Sequence, residues 1–290
     1  MALRHNAQMP PPSFAALLIE GTAALEPLGP DARREAEWLL IAASGTSRAS
    51  LHARGEMSVA AADAERFRAW LERRRRGEPL AYLTGTRGFW TLELEVTPDV
   101  LVPRPETEML VERALQLGAT SCRVVDLGTG SGAIALALAH ERPDWLITGV
   151  DLSPAALAVA RRNGVKLGLP QIRWLHGDWF ARLEHERFDL IISNPPYIAA
   201  DDPALQDPAL RHEPRGALTP GGDGLDALRS LARAAPAHLT PGGWLLLEHG
   251  AAQGAAVRAL LVAQGFAHVR SRSDLAGHER TTEAQWPANP

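Results

Sequence analysis

The sequence contains a single cysteine and no long uninterrupted apolar run. Cys122 cannot form a disulfide within the chain, and its place at the start of an apolar strand predicts a thiol in the core rather than a nucleophile. No stretch approaches about 18 apolar residues, and no early segment joins a basic start to an apolar core. We therefore expect neither a membrane span nor an export signal, and we predict a reducing, cytoplasmic location.

An excess of charge of one sign is also missing. The chain has 30 Lys and Arg against 34 Asp and Glu, which leaves a formal net charge of −4. That balance argues against a protein whose affinity rests on broad neutralisation of phosphates, and we expect no direct DNA binding. One basic run, Arg73 to Arg76, is interpreted either as a solvated helix end or as a surface for an RNA-bearing partner.

The first part of the chain has the pattern of a small helical domain. Apolar residues with helical spacing follow Ser13, Asp31 and Ser58, each of which can begin a helix, and the third pattern stops at Gly77. With 290 residues, 46% of them hydrophobic, the chain is long enough for one α/β domain and a smaller one. We predict an N-terminal helical, substrate-binding domain over residues 1–80.

Two strand-like runs follow the helical region. Residues 89–96 and 100–102 are rich in apolar and β-branched side chains and are separated by Pro98 and Asp99. They predict a β-hairpin that forms a linker over residues 81–104. The remainder, residues 105–290, then forms the larger domain.

Strands and helices alternate in this larger domain, as in a doubly wound, mostly parallel α/β sheet. The predicted strands are residues 124–127, 146–150, 172–175, 188–192 and 244–248, with a final strand starting at 266–269, and the predicted helices are 107–117, 133–139, 225–239 and 253–264. Residues 199–224 carry several prolines and glycines and are predicted to be a long polar loop that acts as a flap. Open sheets of this kind bind ligands at the carboxyl edge of their strands.

A glycine-rich loop follows the first strand of the predicted sheet. Its residues are Gly128, Thr129, Gly130, Ser131 and Gly132. Glycines let the backbone approach a ligand, and the helix that follows offers free N–H groups. The spacing differs from the dinucleotide fingerprint, in which the third glycine comes one position later, and this disfavours nicotinamide binding.

Acidic side chains end the next two strands. Asp151, nineteen residues after Gly132, can accept both hydroxyls of a ribose, or it can cap the helix that starts at Ser153 and Pro154. Asp178 can accept an amino group such as the exocyclic nitrogen of adenine.

An aromatic residue follows Asp178 directly. Trp179 can pack on the ring of a bound base, and the alternative is that Trp179 and Phe180 only fill the core. The strand order places both acidic side chains and Trp179 at one sheet edge with the glycine loop.

The fourth strand ends in Ser193, Asn194, Pro195, Pro196 and Tyr197. The two prolines make the chain leave the sheet stiffly, because they lack N–H groups and lock φ. The Asn194 oxygen and the Pro195 carbonyl can accept both hydrogens of one planar amino group, and Tyr197 can cover the face of the group that carries it. The alternative is a proline turn that ends the strand, with Asn194 capping its own backbone.

Two further segments carry related signals. Pro103 to Glu108 suits the start of a helix and equally a ligand-facing segment. The last ten residues, Thr281 to Pro290, are marked by prolines, and we assign them no function. No internal repeat or low-complexity tract is present.

In this order the motifs resemble those of class I S-adenosylmethionine-dependent methyltransferases that act on amino nitrogens. The motifs are Asp126 to Gly132, Asp151, Gly177 to Phe180 and Asn194 to Tyr197. Pro103 to Glu108, Leu246 to Gly250 and the helical domain in front look more closely like the protein-(glutamine-N5) methyltransferases that modify peptide-chain release factors. Gly277 to Arg280 looks like the ending of that family, and Thr281 to Pro290 diverges from it.

The resemblance implies a seven-stranded sheet, S-adenosylmethionine as cofactor, no metal, and release factors as partners held by the helical domain and the hairpin. It implies that Gly128 to Gly132 line the methionine part, Asp151 holds the ribose, and Asp178, Trp179 and Asn194 complete the cofactor site. Asn194 to Tyr197 would bind the glutamine of the Gly-Gly-Gln loop, with Asn194, Pro195 and Tyr197 in the catalytic role.

Two other functions compete with this one. An adenine-N6 DNA methyltransferase can use the same Asn-Pro-Pro-Tyr run, although it needs a basic DNA-facing surface and a target-recognition region. A binding module without activity could retain the fold, although the intact glycine loop and Asn194 speak against it.

Overall fold

The structure is a computed structural model and describes residues 11–288. The chain divides into two compact units between Gly85 and Thr86, and the hairpin lies in the second unit. The limits of the three predicted regions stay predictions. Among the described residues, no helix is both long enough and apolar enough to cross a membrane.

Over residues 11–85, the first unit contains five α-helices around one apolar core. They are α1 (Phe14–Leu25), α2 (Ala32–Ser44), α3 (Arg48–Ala53), α4 (Ala61–Arg75) and α5 (Leu80–Thr84). The Ser13 hydroxyl accepts a hydrogen bond from the Ala16 N–H, so the predicted cap of α1 is confirmed. Asp31 does precede α2, but its side chain makes no capping bond.

This unit also differs from the prediction at Ser58 and in two short helices, α3 and α5, that were not predicted. Ser58 does not begin the third predicted helix: it pairs with Ser13 in an isolated β-bridge, and α4 starts three residues later. The helix α3 was not predicted, because it is only six residues long and buries a single side chain, Leu51. So short a helix has no apolar periodicity to detect.

The second unit opens with a hairpin whose strands are β1 (Thr86–Phe89) and β2 (Leu92–Glu95). The prediction of one strand over residues 89–96 was wrong because the chain reverses at Trp90, which has a φ of 56°. The apolar run continues across the turn, so it conceals the turn from pattern analysis.

Residues 100–102 were predicted as the second strand of this hairpin and are not a strand. The Val102 N–H donates to the carboxylate of Glu213, 3.0 Å away, instead of to a neighbouring strand. The partner is a side chain 111 residues later in the chain, and the local sequence contains no sign of it.

The sheet of the second unit has seven strands in the order β5, β4, β3, β6, β7, β9, β8. They are β3 (Arg123–Leu127), β4 (Leu146–Asp151), β5 (Arg173–His176), β6 (Phe188–Ser193), β7 (Leu239–Glu248), β8 (Ala267–Ser273) and β9 (Glu279–Gln285). All neighbouring pairs from β5 to β7 are parallel, and β9 pairs antiparallel with both β7 and β8. The doubly wound, mostly parallel seven-stranded sheet is thus confirmed.

Helices cover both faces of this sheet, and consecutive residues of its central strands belong to different cores. The helices are α6 (Glu108–Leu117), α7 (Ala133–Glu141), α8 (Pro154–Lys166), α9 (Arg215–Leu218), α10 (Asp226–His238) and α11 (Gly254–Ala263). Val124 and Ile192 pack with α6 and α7, whereas Val125 and Ile191 pack with α10 and α11. Burial on both faces explains why these strands are continuous apolar runs.

The last strand, β9, was missed, and the segment assigned no function contributes most of it. Residues 281–284 are completely buried, yet three of the four are polar or charged. The Thr282 hydroxyl lies 2.8 Å from His249 Nε2, and Glu283 is paired with arginines. A strand stabilised by such distant partners lacks the apolar pattern by which the other strands were recognised.

The predicted loop over residues 199–224 contains three short helical turns, at residues 203–206, 210–212 and 215–218. Its ends are held by backbone bonds from Ile198 to Leu218 and from Ala200 to Gly222. The segment is therefore better ordered than its proline and glycine content suggested.

Candidate active site

A cavity of about 610 Å³ opens at the carboxyl edge of the sheet. The ends of β3, β4, β5 and β6 form one side of it, and the segments around Arg104 and Pro214 contribute other residues. From the predicted site, the residues that line it are Gly128, Thr129, Gly130, Ser131, Asp151, Asp178, Trp179, Asn194 and Pro196. Gly132, Pro195 and Tyr197 lie outside this lining.

Two glycines of the loop after β3 have different tasks. Gly130 has a φ of 57°, and a Cβ built there would meet no atom within 4 Å. Gly132 has a φ of 84°, and its Cβ would lie 2.9 Å from the Trp174 ring. Gly130 therefore keeps the cavity wall open to a ligand, whereas Gly132 allows the start of α7 to pack closely on the sheet.

Below this loop lies a fully buried carboxyl group, that of Asp126. Its Oδ2 accepts a hydrogen bond of 2.5 Å from the Thr129 hydroxyl, and its Oδ1 is without a partner within residues 11–288. Burial raises the pKa of Asp126 to about 7. Asp126 does not line the cavity, and it acts on the glycine loop from behind through its bond with Thr129.

Asp151 joins the end of β4 to the glycine loop. Its Oδ2 accepts from the Gly130 N–H and its Oδ1 from the Ser153 N–H, both at 2.8 Å. The Ser153 hydroxyl, not Asp151, caps α8. Burial raises the pKa of Asp151, which lines the cavity. The interpretation of Asp151 as the cap of α8 was therefore wrong, and its role in holding a ribose stays a prediction that its position in the cavity lining allows.

Asp178 and Trp179 follow β5. Asp178 is exposed to solvent, whereas Trp179 is half-buried and packs against the core on one side while it lines the cavity on the other. Trp179 has a φ of 44°, a conformation that a bulky side chain adopts only under constraint. The ring lies near the glycine loop, since a Cβ on Gly128 would be 3.4 Å from it.

The Asn-Pro-Pro-Tyr segment leaves the end of β6, where the Ser193 hydroxyl donates to the Leu127 carbonyl at 2.6 Å. Asn194 Nδ2 donates to the Thr107 hydroxyl at 3.1 Å, so its amide oxygen is left for the cavity. The Pro195 carbonyl accepts no hydrogen bond from residues 11–288. Two acceptors of the kind predicted from the sequence are therefore free.

Tyr197 does not line the cavity, and hydrogen bonds at its hydroxyl and its backbone carbonyl fix its position. Its hydroxyl donates to Glu248 Oε1 at 3.3 Å, and burial raises its pKa. Its backbone carbonyl accepts from the Gln253 side chain at 3.0 Å. The Glu248 carboxyl group is itself buried, and burial raises its pKa to about 7.

Two families match the sequence, and together they cover most of it. Residues 16–85 match the PrmC N-terminal domain, and residues 105–225 match the Methyltransferase small domain. The release factor glutamine methyltransferase of Xylella fastidiosa (strain Temecula1) is 52% identical over 278 residues, which cover 95% of this chain and 99% of that protein. The chain belongs to the release factor glutamine methyltransferases.

Other members of the release factor glutamine methyltransferases are similarly close. That of Pseudomonas aeruginosa is 52% identical over 261 residues, covering 90% of this chain and 95% of that protein. The protein of the same name from Escherichia coli (strain K12) is 45% identical over 251 residues, covering 86% and 91%. Similarity of this extent includes both units of the chain.

Solved structures agree on the fold. A methyltransferase from Pyrococcus furiosus matches with a TM-score of 0.53 at 18% identity, covering 74% of this chain and 98% of that one. The 16S rRNA N2 G1207 methyltransferase (RsmC) of Thermus thermophilus, solved with AdoMet and guanosine, matches with a TM-score of 0.52 at 21% identity, covering 69% and 49%. Both place this release factor glutamine methyltransferase among proteins with the methyltransferase fold.

The residues present fit S-adenosylmethionine, the cofactor of this family. The cavity has the volume of a small-molecule site. Gly130 provides open backbone, Asp151 provides a carboxylate that lines the cavity, and Trp179 provides a flat apolar wall. These are the surfaces that a sulfonium and an adenosine need.

Sequence reasoning did not identify four residues of the site as such. Thr107 and Arg104 line the cavity. Glu213 is buried and pairs with Arg104, and Glu248 supports Tyr197. The predicted segment Pro103 to Glu108 contains Arg104 and Thr107, and the motif Leu246 to Gly250 contains Glu248, whereas no local signal marks Glu213. The helix start predicted for Pro103 to Glu108 is confirmed, and its ligand-facing role stays a prediction that is consistent with its place in the cavity lining.

Proposed function

We propose that this protein transfers a methyl group from S-adenosylmethionine to the side-chain nitrogen of the glutamine in the Gly-Gly-Gln loop of peptide-chain release factors. The observation that carries this is the free acceptor pair beside the cofactor cavity: the Asn194 amide oxygen and the Pro195 carbonyl. Two acceptors in adjacent residues match the two hydrogens of one planar amide group.

For cofactor binding we assign the loop from Gly128 to Gly132 to the methionine part and Asp151 to the ribose. Asp178, Trp179 and Asn194 would surround the adenine end. The cofactor supplies an electrophilic methyl group on a positively charged sulfur. The position of Asp151 supports this assignment, because Asp151 lines the cavity and its carboxylate is fixed in place by the Gly130 and Ser153 N–H groups.

The substrate nitrogen needs orientation more than activation by a base. An amide nitrogen is a poor nucleophile because its lone pair is delocalised into the carbonyl. Asn194 and Pro195 would hold both N–H bonds and so aim the nitrogen at the methyl group, an effect worth up to roughly 7 to 11 kcal/mol in favourable cases. The same acceptors stabilise the positive charge that grows on nitrogen, and solvent takes the proton afterwards.

The flanking residues would complete the substrate site. Pro196 lines the cavity, and Tyr197, anchored by its hydroxyl to Glu248, would present its ring to the glutamine side chain. We propose the helical unit and the hairpin as the parts that hold the rest of the release factor. The cytoplasm, where release factors act, is the location we propose.

Labelling tests substrate and activity together. Release factor and DNA are incubated separately with the protein and S-adenosylmethionine carrying a labelled methyl group, and the products are analysed by mass spectrometry. We expect the label on the glutamine of the Gly-Gly-Gln loop and none on DNA. Label on adenine would instead establish the competing DNA methyltransferase, and a protein that binds no S-adenosylmethionine would be the inactive binding module.

A further inference from the structure

A chain of hydrogen bonds runs behind the Asn-Pro-Pro-Tyr segment. Asn194 Nδ2 donates to Thr107 Oγ1 at 3.1 Å, and the Thr107 hydroxyl donates to Glu248 Oε2 at 2.7 Å. The other carboxylate oxygen, Oε1, accepts from the Tyr197 hydroxyl at 3.3 Å. Glu248 thus connects to both side chains that flank the proposed substrate.

The direction of these bonds follows from the chemistry of the groups. An ionised carboxylate can only accept, so Glu248 requires a donor from Thr107. A hydroxyl has one hydrogen, and once it is given to Glu248 the Thr107 oxygen offers only lone pairs. Asn194 must then turn its NH2 group towards Thr107, and its oxygen points away from that residue.

We propose that Thr107 and Glu248 are positioning residues that select the rotation of the Asn194 amide, so that the oxygen and not the NH2 group faces the substrate nitrogen. This inference rests on the proposed function. With the opposite rotation, Asn194 would present hydrogens to the hydrogens of the glutamine NH2 group, and one of the two acceptors would be lost. The network acts through Asn194 and does not touch the substrate itself.

Glu248 is suited to this task because its charge is not neutralised by an arginine. Its side chain is 1% exposed, and within residues 11–288 only the two hydroxyl groups donate to it. Burial raises its pKa to about 7, the charge of Glu106 acts in the same direction, and Arg280 acts against it. Protonated Glu248 can donate to Thr107, which frees the Thr107 hydrogen for the Asn194 oxygen and allows the wrong rotation.

Thr107 offers the most direct test. Thr107→Val keeps the shape but removes the hydroxyl, and Thr107→Ser keeps the hydroxyl. We expect Thr107→Val to lower kcat about tenfold to a hundredfold at saturating cofactor, with release factor KM changed less than threefold, and Thr107→Ser to retain most of the rate. The matched control is Thr148→Val, which removes a hydroxyl from another buried threonine, on β4, and should leave kcat unchanged.

A second measurement uses the charge of Glu248. For the wild type, kcat at saturating cofactor should rise with pH through about 7, because only ionised Glu248 fixes the direction of the network. Glu248→Gln has a lower kcat and lacks this rise. Asp126, whose pKa is raised to a similar value, is present in both proteins, so a rise caused by Asp126 would persist in Glu248→Gln.

Tyr197→Phe separates the two branches of the network, since it cuts only the bond between Tyr197 and Glu248. A mild effect of Tyr197→Phe beside a strong effect of Thr107→Val supports control through Asn194. Wild-type protein that labels release factor no better than Thr107→Val overturns the inference, as does a kcat rise with pH that survives in Glu248→Gln. Failure of the wild type to label release factor would overturn the proposed function instead, so the two failures are distinguishable.

Discussion

Two buried glutamates on neighbouring strands of one sheet have different partners, and their pKa values are shifted in opposite directions. Glu283 on β9 is fully buried and pairs with Arg113, Arg270 and Arg272. Burial alone would raise its pKa, but the hydrogen bonds from these arginines outweigh burial, and the pKa is lowered. Glu248 on β7 is just as inaccessible to solvent. Within residues 11–288 its carboxylate accepts hydrogen bonds only from two hydroxyl groups, and its pKa is raised to about 7.

The difference separates a structural carboxylate from one that serves the site. The arginines keep Glu283 ionised at every physiological pH, and its bonds tie α6 and β8 to β9. Glu248 has no such partner and is therefore close to the point where its protonation changes. Burying an ionisable carboxyl group without a cationic partner costs stability. In this protein Glu248 orders the side chains beside the cofactor cavity.

The largest effect on rate is expected at Asn194, to which Glu248 is connected through Thr107. Asn194→Ala removes one of the two proposed acceptors and should lower kcat about 10² to 10³-fold, with a much smaller change in cofactor affinity and little change in Tm. Steady-state kinetics on release factor, calorimetry with S-adenosylmethionine and thermal unfolding measure the three quantities. A folded variant that works at close to the normal rate would mean that Asn194 only ends a strand.

On the structural side of the comparison, Glu283→Gln should lower the free energy of unfolding by about 3 kcal/mol, because it leaves the mostly buried Arg113 without its charged partner. The rate per folded molecule should be kept. The matched variant Glu248→Gln should show the reverse: a reduced rate and little loss of stability. Denaturant unfolding and steady-state kinetics on both variants measure these two effects. If the two variants behaved alike, Glu283 and Glu248 could not be assigned different roles.

Asp151 extends the comparison to the cofactor side of the cavity. Asp151→Ala should weaken S-adenosylmethionine binding at least tenfold, because two charge-assisted bonds to the ribose, each worth about 1.5 to 3 kcal/mol, are lost. Asp151→Asn keeps an acceptor for the Gly130 N–H and should lie between the alanine variant and the wild type. Calorimetry gives the dissociation constants, and an unchanged value for the alanine variant would refute the ribose assignment.

The smallest effect concerns stability and pH. A carboxyl group whose pKa is higher in the folded state than in the unfolded chain stabilises the fold below the unfolded value, here 4.5, and loses this contribution as pH rises through about 7. Gln does not ionise, so Glu248→Gln does not lose stability as pH rises through about 7. We expect the Tm of Glu248→Gln relative to the wild type to be about 2 to 4 °C higher at pH 8 than at pH 5.5. Glu283 has a pKa lowered from 4.5, so its contribution to stability changes only below about pH 4.5, and the Tm of Glu283→Gln relative to the wild type should be the same at pH 5.5 and pH 8.

Much of this architecture was predictable because its signals are local. Strands buried on both faces, such as β3 and β6, are continuous apolar runs, and their order along the chain brings the glycine loop, Asp151 and Asn194 to one edge. Glycine and proline also act through their own backbone geometry. For these parts the composition of a few consecutive residues suffices.

The remaining parts depend on partners that are distant in sequence. Strand β9 is polar and was missed, because the arginines that allow Glu283 to be buried come from α6 and β8. Thr107 meets Glu248 across 141 positions, and Val102 meets Glu213 across 111. No local pattern reports such pairs.

The sequence by itself therefore determined the parallel strands of the sheet and the edge at which the glycine loop, Asp151 and Asn194 meet. Only the tertiary structure decided which buried carboxylates are neutralised and which way the Asn194 amide is turned. The physical reason is that backbone conformation follows from neighbouring residues, whereas ionisation and hydrogen-bond direction depend on charges and donors that folding brings together from remote parts of the chain.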